Sequence, residues 1–208
     1  GIRSSGRNVT IGAATTHAEV ASHAELASVC PAICHLASHI GDPHVRHMGT
    51  IGGSVANNDP AADYPAALLA LGATIVTDKR EIAAEDFFTG LFETALDDNE
   101  IVTAVSFAAP ARCGYAKFPN PASRYAMTGV FAARGEDGVR VAVTGAGGDG
   151  VFRAREIEAA LSTSFDPSAL EGMSVPSADL MSDMHASADY RANLVVVMAK
   201  RAVAAANA

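Results

Sequence analysis

The stretch Val45-Arg46-His47-Met48-Gly49-Thr50-Ile51-Gly52-Gly53-Ser54-Val55-Ala56-Asn57-Asn58-Asp59-Pro60-Ala61-Ala62-Asp63-Tyr64-Pro65 decides the reading of this chain. Residues 41–60 are rich in Gly, Asn, Asp and Pro, so a loop is expected there. A helix should follow from Ala61 to Leu71, stopped by Gly72. Gly52 and Gly53 allow backbone to come close to a ligand. Thr50, Ser54, Asn57 and Asn58 surround them with neutral hydrogen-bonding groups. Asp63 can accept from a sugar hydroxyl, and its place early in a helix suits its charge. Together these groups fit a polyhydroxylated, phosphate-bearing cofactor held largely by backbone donors.

Upstream, Asn8–Ala13 reads as a short strand with Val9 and Ile11 on one face. Thr16-x-x-Glu19 is a capping box, which predicts a helix from His17 to about Ser28. Pro31 suits the first turn of a second helix, Ala32 to Ile40, stopped by Gly41-Asp42-Pro43. Downstream, strands are expected at 73–77 and 101–107, with a short mixed segment at 85–92. Ala108-Ala109-Pro110-Ala111 marks a domain boundary, dividing the chain into 1–108 and 109–208. Past it, strands 126–134 and 139–144 should form a hairpin through Gly135-Glu136-Asp137-Gly138, because Asp and Gly both tolerate positive φ. Helices are expected at 153–161 and 186–206, with a Ser- and Pro-rich connection between them.

Composition narrows the function classes. The chain has 208 residues, of which 49% are hydrophobic, enough for a real core and against disorder. Its net charge of −8 repels phosphate backbones, so nucleic acid is a poor partner. No run approaches the ~20 apolar residues of a membrane span. Three cysteines, at 30, 34 and 113, make no disulfide framework and point to reduced thiols in the cytoplasm.

Two further motifs carry less. Gly145-Ala146-Gly147-Gly148-Asp149-Gly150 matches a dinucleotide fingerprint, but no β-branched run follows at the spacing a parallel βαβ unit needs. It reads as a turn after an antiparallel hairpin. Cys30, Cys34, His35 and His39 have metal-ligand spacing, yet the Cys and His pairs sit about 100° apart around one helix. They read as packed thiols and surface imidazoles. No metal, Ser-His-Asp or paired-carboxylate constellation stands out.

The stretch at 45–65 resembles the FAD-binding medium subunit of the molybdenum hydroxylases, the aerobic carbon monoxide dehydrogenase and xanthine dehydrogenase family. Ile11–Ala18 is similar to the family's strand-to-helix entry. Lys117-Phe118, Arg124-Tyr125-Ala126 and His185–Arg191 are similar to its C-terminal signatures. The resemblance implies an α+β fold. A FAD-binding domain with a mixed or antiparallel sheet and helices would be followed by a small antiparallel sheet with helices. Family members also carry an N-terminal βαβ subdomain with an Ala-Gly-Gly loop on the pyrophosphate, and this chain is expected to begin after it.

By the same resemblance, Thr50, Ile51, Gly52, Gly53, Ser54 and Ala56 form the cofactor loop, and Asp63 bonds the ribityl chain. Ile101 and Val102 pass near the cofactor, Lys117 lies near the flavin and Tyr125 beside its ring. Asp63→Ala is expected to weaken FAD binding more than folding. The implied role is electron transfer. A large partner subunit would oxidise substrate at a molybdenum cofactor, and a small partner would carry two 2Fe-2S clusters. FAD in this chain would pass the electrons to an external acceptor, within a hetero-oligomer. The alternatives are a docking module without bound cofactor and a stand-alone flavin oxidase. If the preceding subdomain is missing, the strand at 8–13 is expected to become an exposed edge.

Overall fold

A computed structural model describes residues 1–208. The chain opens with β1 (Ile2–Ser5) and β2 (Asn8–Gly12), then short helices α1 (His17–Ser22), α2 (Ala24–Val29), α3 (Pro31–Ser38), α4 (Pro43–Met48), α5 (Ile51–Asn57) and α6 (Tyr64–Leu71). β3 (Thr74–Thr77), β4 (Glu81–Ala83), α7 (Ala84–Phe87), β5 (Phe88–Gly90), β6 (Glu93–Thr94) and β7 (Val102–Ala108) complete the first half. The second half holds β8 (Arg112–Pro119), β9 (Ala126–Gly135), β10 (Gly138–Thr144), β11 (Phe152–Arg153), α8 (Arg155–Thr163), a 3-10 turn at Pro167–Leu170 and α9 (Ala188–Ala206).

Every strand pairing is antiparallel, in an α+β arrangement. The first sheet has the order β1-β2-β7-β3-β4 and the second β11-β10-β9-β8. Period-two patterning sets the first sheet's buried face. Ile11 and Ile75 both sit opposite Val105, and Val9 sits opposite Phe107. All five are buried, while Asn8, Thr10 and Ala108 are exposed.

The second sheet is covered on both faces, which accounts for the nearly unbroken apolar run of β9. Phe131 and Ala133 point into the core shared with the first sheet, and Val130 and Ala132 into a core built with α8 and α9. α9 lies so close to β8 that a Cβ on Gly114 would collide with the Ala202 carbonyl. Between the sheets runs α6, apolar on every side and buried from Tyr64 to Ala70.

Several expectations are corrected. The helix drawn from 17 to 28 breaks at His23, whose Nδ1 accepts from the Leu26 N–H at 3.2 Å and starts a new helix. The loop expected at 41–60 contains α4 and α5, because Asp42 and Thr50 each cap a following N–H. The helix expected from Ala61 begins at Tyr64. Strand 8–12 is no edge, since β1 covers one side and β7 the other. β8 and β1 went unanticipated. In the 135–138 turn only Gly138 takes positive φ, at 103°.

The Gly145–Gly150 turn leads to β11, antiparallel to β10, so no parallel crossover follows it. Its groups are tied locally: Gly148 N–H donates to Asp179 O at 2.8 Å, and buried Arg191 donates to Gly145 O at 2.6 Å. Cys30 turns inward to lie 3.6 Å from Cys113, whereas His35 and His39 are exposed, so these four side chains do not converge.

Candidate functional site

A cavity of about 490 Å³ opens where α4, α5 and the β8–β9 loop meet. Thr50, Gly53 and Ser54 line one wall, Asp63 another, and Tyr125 a third. These predicted residues are brought together by backbone pairing. Thr16 and Thr50 form an isolated bridge, His17 N–H donates to Gly49 O at 3.0 Å, and Ile51 N–H donates to Thr15 O at 3.0 Å.

The two adjacent glycines do different things. Gly52 is buried, its N–H donates to Ala13 O at 2.9 Å, and any Cβ there would clash with the Ala13 side chain and backbone. Gly53 is exposed on the cavity wall, and a Cβ there would meet only Thr50 Oγ1, at 3.2 Å. Its own N–H already donates to Thr50 Oγ1. The expectation that this stretch offers a row of free backbone donors is therefore corrected: α5's first N–H groups are spent on Thr15, Ala13 and Thr50. Hydroxyls, Asn57 and the bare face of Gly53 remain for a ligand.

Asp63 is buried and makes no capping bond, contrary to the helix-start role. It accepts from Tyr115 Oη and from Lys117 Nζ, with Lys117 Nζ 3.0 Å from Oδ1 and 3.1 Å from Oδ2. Burial raises its pKa against the pull of Lys117 and Tyr115. The segment carrying it is fixed by the second sheet: Thr144 Oγ1 donates to Ala62 O at 2.6 Å, and Gly145 N–H to Pro60 O at 2.8 Å.

Tyr125 is half exposed at the cavity mouth, and burial, then Asp59 and Asp63, raises its pKa. Its loop is shaped by Asn120, whose Oδ1 accepts from the N–H groups of Ala122 and Ser123. Ile51 and Ala56 do not line the cavity; Ile51 is core. Asn58 is turned away, capping α5 at positive φ while its amide donates to Gly90 and Glu93 carbonyls. Ile101 and Val102 also lie outside it, yet Ile101 is 62% exposed. The next residue, Thr103, accepts from Ala13 N–H at 2.8 Å, and Ala13 O accepts from Gly52 N–H.

Some lining residues were not anticipated from sequence. His17 is buried, its Nδ1 has no partner, and its Nε2 would be 2.6 Å from a Cβ on Gly49. Burial, then the nearby Arg46 charge, pushes its pKa down to about 4. Only its position after the capping Thr16 marked it. Val45, 47% exposed, and Met48, 82% exposed, form an apolar rim. Arg124, at the unusual φ of 63°, closes the wall beside Gly41.

The family described as FAD binding domain in molybdopterin dehydrogenase matches residues 1–110. The chain is 34% identical to the nicotine 6-hydroxylase medium subunit of Paenarthrobacter nicotinovorans, over 98% of this chain and 76% of the relative. It is 31% identical to the carbon monoxide dehydrogenase medium chain of Afipia carboxidovorans, over 100% of this chain and 77% of that one. A solved structure of carbon monoxide dehydrogenase from Hydrogenophaga pseudoflava superposes with a TM-score of 0.84 at 30% identity, covering 99% of this chain and 77% of the other. Quinoline 2-oxidoreductase from Pseudomonas putida 86 matches with a TM-score of 0.84 at 25% identity and the same coverage, 99% and 77%. With one family matching its first half and these relatives spanning nearly all of it, the chain belongs to the FAD-binding domain family of the molybdopterin dehydrogenases.

Proposed function

We propose that this chain is the flavin-bearing electron-transfer subunit of a molybdenum hydroxylase, and that FAD occupies the cavity between α5 and the β8–β9 loop. The observation that carries this is the cavity's division into two chemistries. Its floor presents Thr50, Ser54, Asn57 and Asp63, and its rim presents Val45, Met48 and Tyr125, all exposed. A ligand with a polar chain and a flat apolar ring matches that division. Gly53 adds a bare backbone face, and the unpartnered His17 Nδ1 marks a polar wall not fully satisfied within the chain.

Thr50 and Ser54 would meet the phosphate end, and Asp63 the ribityl hydroxyls. Lys117, through its pair with Asp63, would hold that carboxylate in its charged form. Tyr125 would flank the ring, and Ile101 with Val102 would contact the far end of an extended cofactor lying past Ala13. Ile51, Gly52 and Ala56 would shape the loop from behind. FAD supplies a centre that accepts electrons from iron–sulfur clusters and delivers them onward. The chain's share is to bind, orient and shield it.

The relatives' names include medium chains of dehydrogenases, so the partners we assign are a large molybdopterin subunit and a small subunit with 2Fe-2S clusters. We divide the chain at residue 109, the first part holding most of the cavity and the second supplying Lys117 and Tyr125. No helix is long and apolar enough to cross a membrane, and three unpaired buried thiols suit the cytoplasm, where we place the protein. The test is FAD titration of the purified protein by flavin fluorescence, wild type against Gly53→Val. Equal FAD affinity in both would remove FAD from this cavity.

A further inference from the structure

A second cavity, of about 660 Å³, shares Gly41 and Arg124 with the first. The buried Lys117–Asp63 pair forms the partition: Lys117 lines the second cavity and Asp63 the first. The two linings differ in charge. The second contains Arg46, Lys117, Arg124, Arg201, His35 and His39, and no carboxylate. In a chain of net charge −8 such a concavity stands apart from the rest of the surface.

Its cations are also underused. Lys117 is neutralised by Asp63, but Arg46, Arg124 and Arg201 have no carboxylate within ion-pair distance. Arg46 commits only Nη1, to the Ile40 and Gly41 carbonyls at 3.1 and 3.0 Å. Arg124 commits only Nη1, to the Gly41 carbonyl at 3.2 Å. Each keeps the rest of its guanidinium fork. Arg201 is exposed and its side chain makes no hydrogen bond within the chain. His35 and His39 stand with ring centroids 4.3 Å apart. The His39 ring binds neighbours only through Nδ1, leaving Nε2 uncommitted.

Like charges gathered in a concavity repel one another and raise the local concentration of anions. Guanidinium forks match phosphate oxygens in pairs, which a lone ammonium does not. The volume suits a small molecule, and a concave wall of this kind does not fit a flat protein face. We propose that this cavity is a binding site for a small molecule bearing two or more phosphate charges, gripped by Arg46, Arg124 and Arg201 with the two imidazoles as further donors. Such a ligand would sit one ion pair away from the candidate cofactor cavity. The assignment does not depend on what the first cavity holds.

The experiment is calorimetric titration of inorganic pyrophosphate into the full chain at low ionic strength. Saturable binding is expected. Arg201→Ala should weaken it by about tenfold to a hundredfold, the worth of a hydrogen bond to a charged group. Arg124→Gln should weaken it too. Arg134→Ala, at an exposed cation of β9, and Gly53→Val, in the other cavity, should leave it unchanged. Absence of saturable binding by the wild type overturns the proposal. So does equal weakening by Arg134→Ala, which would mean diffuse attraction. Loss in Gly53→Val with no effect of Arg201→Ala would place pyrophosphate in the first cavity, overturning this site while supporting the flavin reading.

Discussion

Lys117 of the second sheet holds Asp63, at the start of the central helix, at 3.0 Å, with both side chains only 5% exposed. A buried pair of this kind ties the two halves together wherever a cofactor also touches it. Removing one partner strands the other's charge in a dry site, at a cost of about 3–5 kcal/mol. Asp63→Ala should therefore lower the melting temperature of the apo protein sharply, reversing the expectation that binding suffers more than folding. Asp63→Ala combined with Lys117→Met should recover most of the loss. Additive losses in the double variant would show that the two side chains are not coupled.

The neighbouring glycines should separate stability from binding. Gly52→Ala puts a methyl against Ala13, whose Cα and carbonyl oxygen lie 2.9 Å from that position, so apo stability should fall. The expected loss is about 1–3 kcal/mol, the range for overpacking a tight site. At Gly53 a Cβ meets only Thr50 Oγ1, at 3.2 Å, so Gly53→Val should fold almost as well, but with much reduced FAD affinity. Thermal melts and FAD titrations of the two variants check the pair.

His17 gives a pH signature. Its folded pKa is pushed down to about 4 from an ordinary 6.5, first by burial and then by Arg46. The unfolded chain therefore binds a proton more readily, and stability rises with pH between those values. That contribution is complete above pH 6.5 and is lost as pH falls toward 4. Its full size is on the order of 3 kcal/mol. Urea unfolding across this range should show a shallower pH slope in His17→Gln than in the wild type; an identical slope would exclude His17 as its source.

The thiols should be inert in the native state. All three cysteines are unpaired and buried, and burial followed by Cys113 pushes Cys34 up to about 11. Burial keeps all three from the reagent, so alkylation at pH 8 should be far slower than for a free thiol and should rise to three groups on unfolding. Rapid labelling of a single cysteine in the folded protein would contradict this packing.

Local signals were legible where residues act on their near neighbours. The Thr16–Glu19 capping box formed, Gly72 ended its helix at positive φ, and the 126–144 hairpin closed at the Asp137-Gly138 pair, though only the glycine takes positive φ. Four residues of the motif at 50–63, Thr50, Gly53, Ser54 and Asp63, do line one cavity. Two short caps were missed: composition made 41–60 resemble a loop, while Asp42 and Thr50 were each sufficient to start a turn of helix.

What the sequence could not determine is which groups face one another across the fold. Gly52 and Gly53 are identical as letters, and only the packing of Ala13 makes one structural and the other open. Lys117 as a letter is a solvated charge; only the placement of β8 beside the start of α6 buries it on Asp63, because residues 54 positions apart must first be brought together. The same long-range closure sets Arg46, Arg124 and Arg201 around one concavity. Sequence fixes the chemistry each residue carries and the turns it makes locally. Tertiary structure decides which charges are paired, since pairing depends on distances between segments that no local pattern encodes.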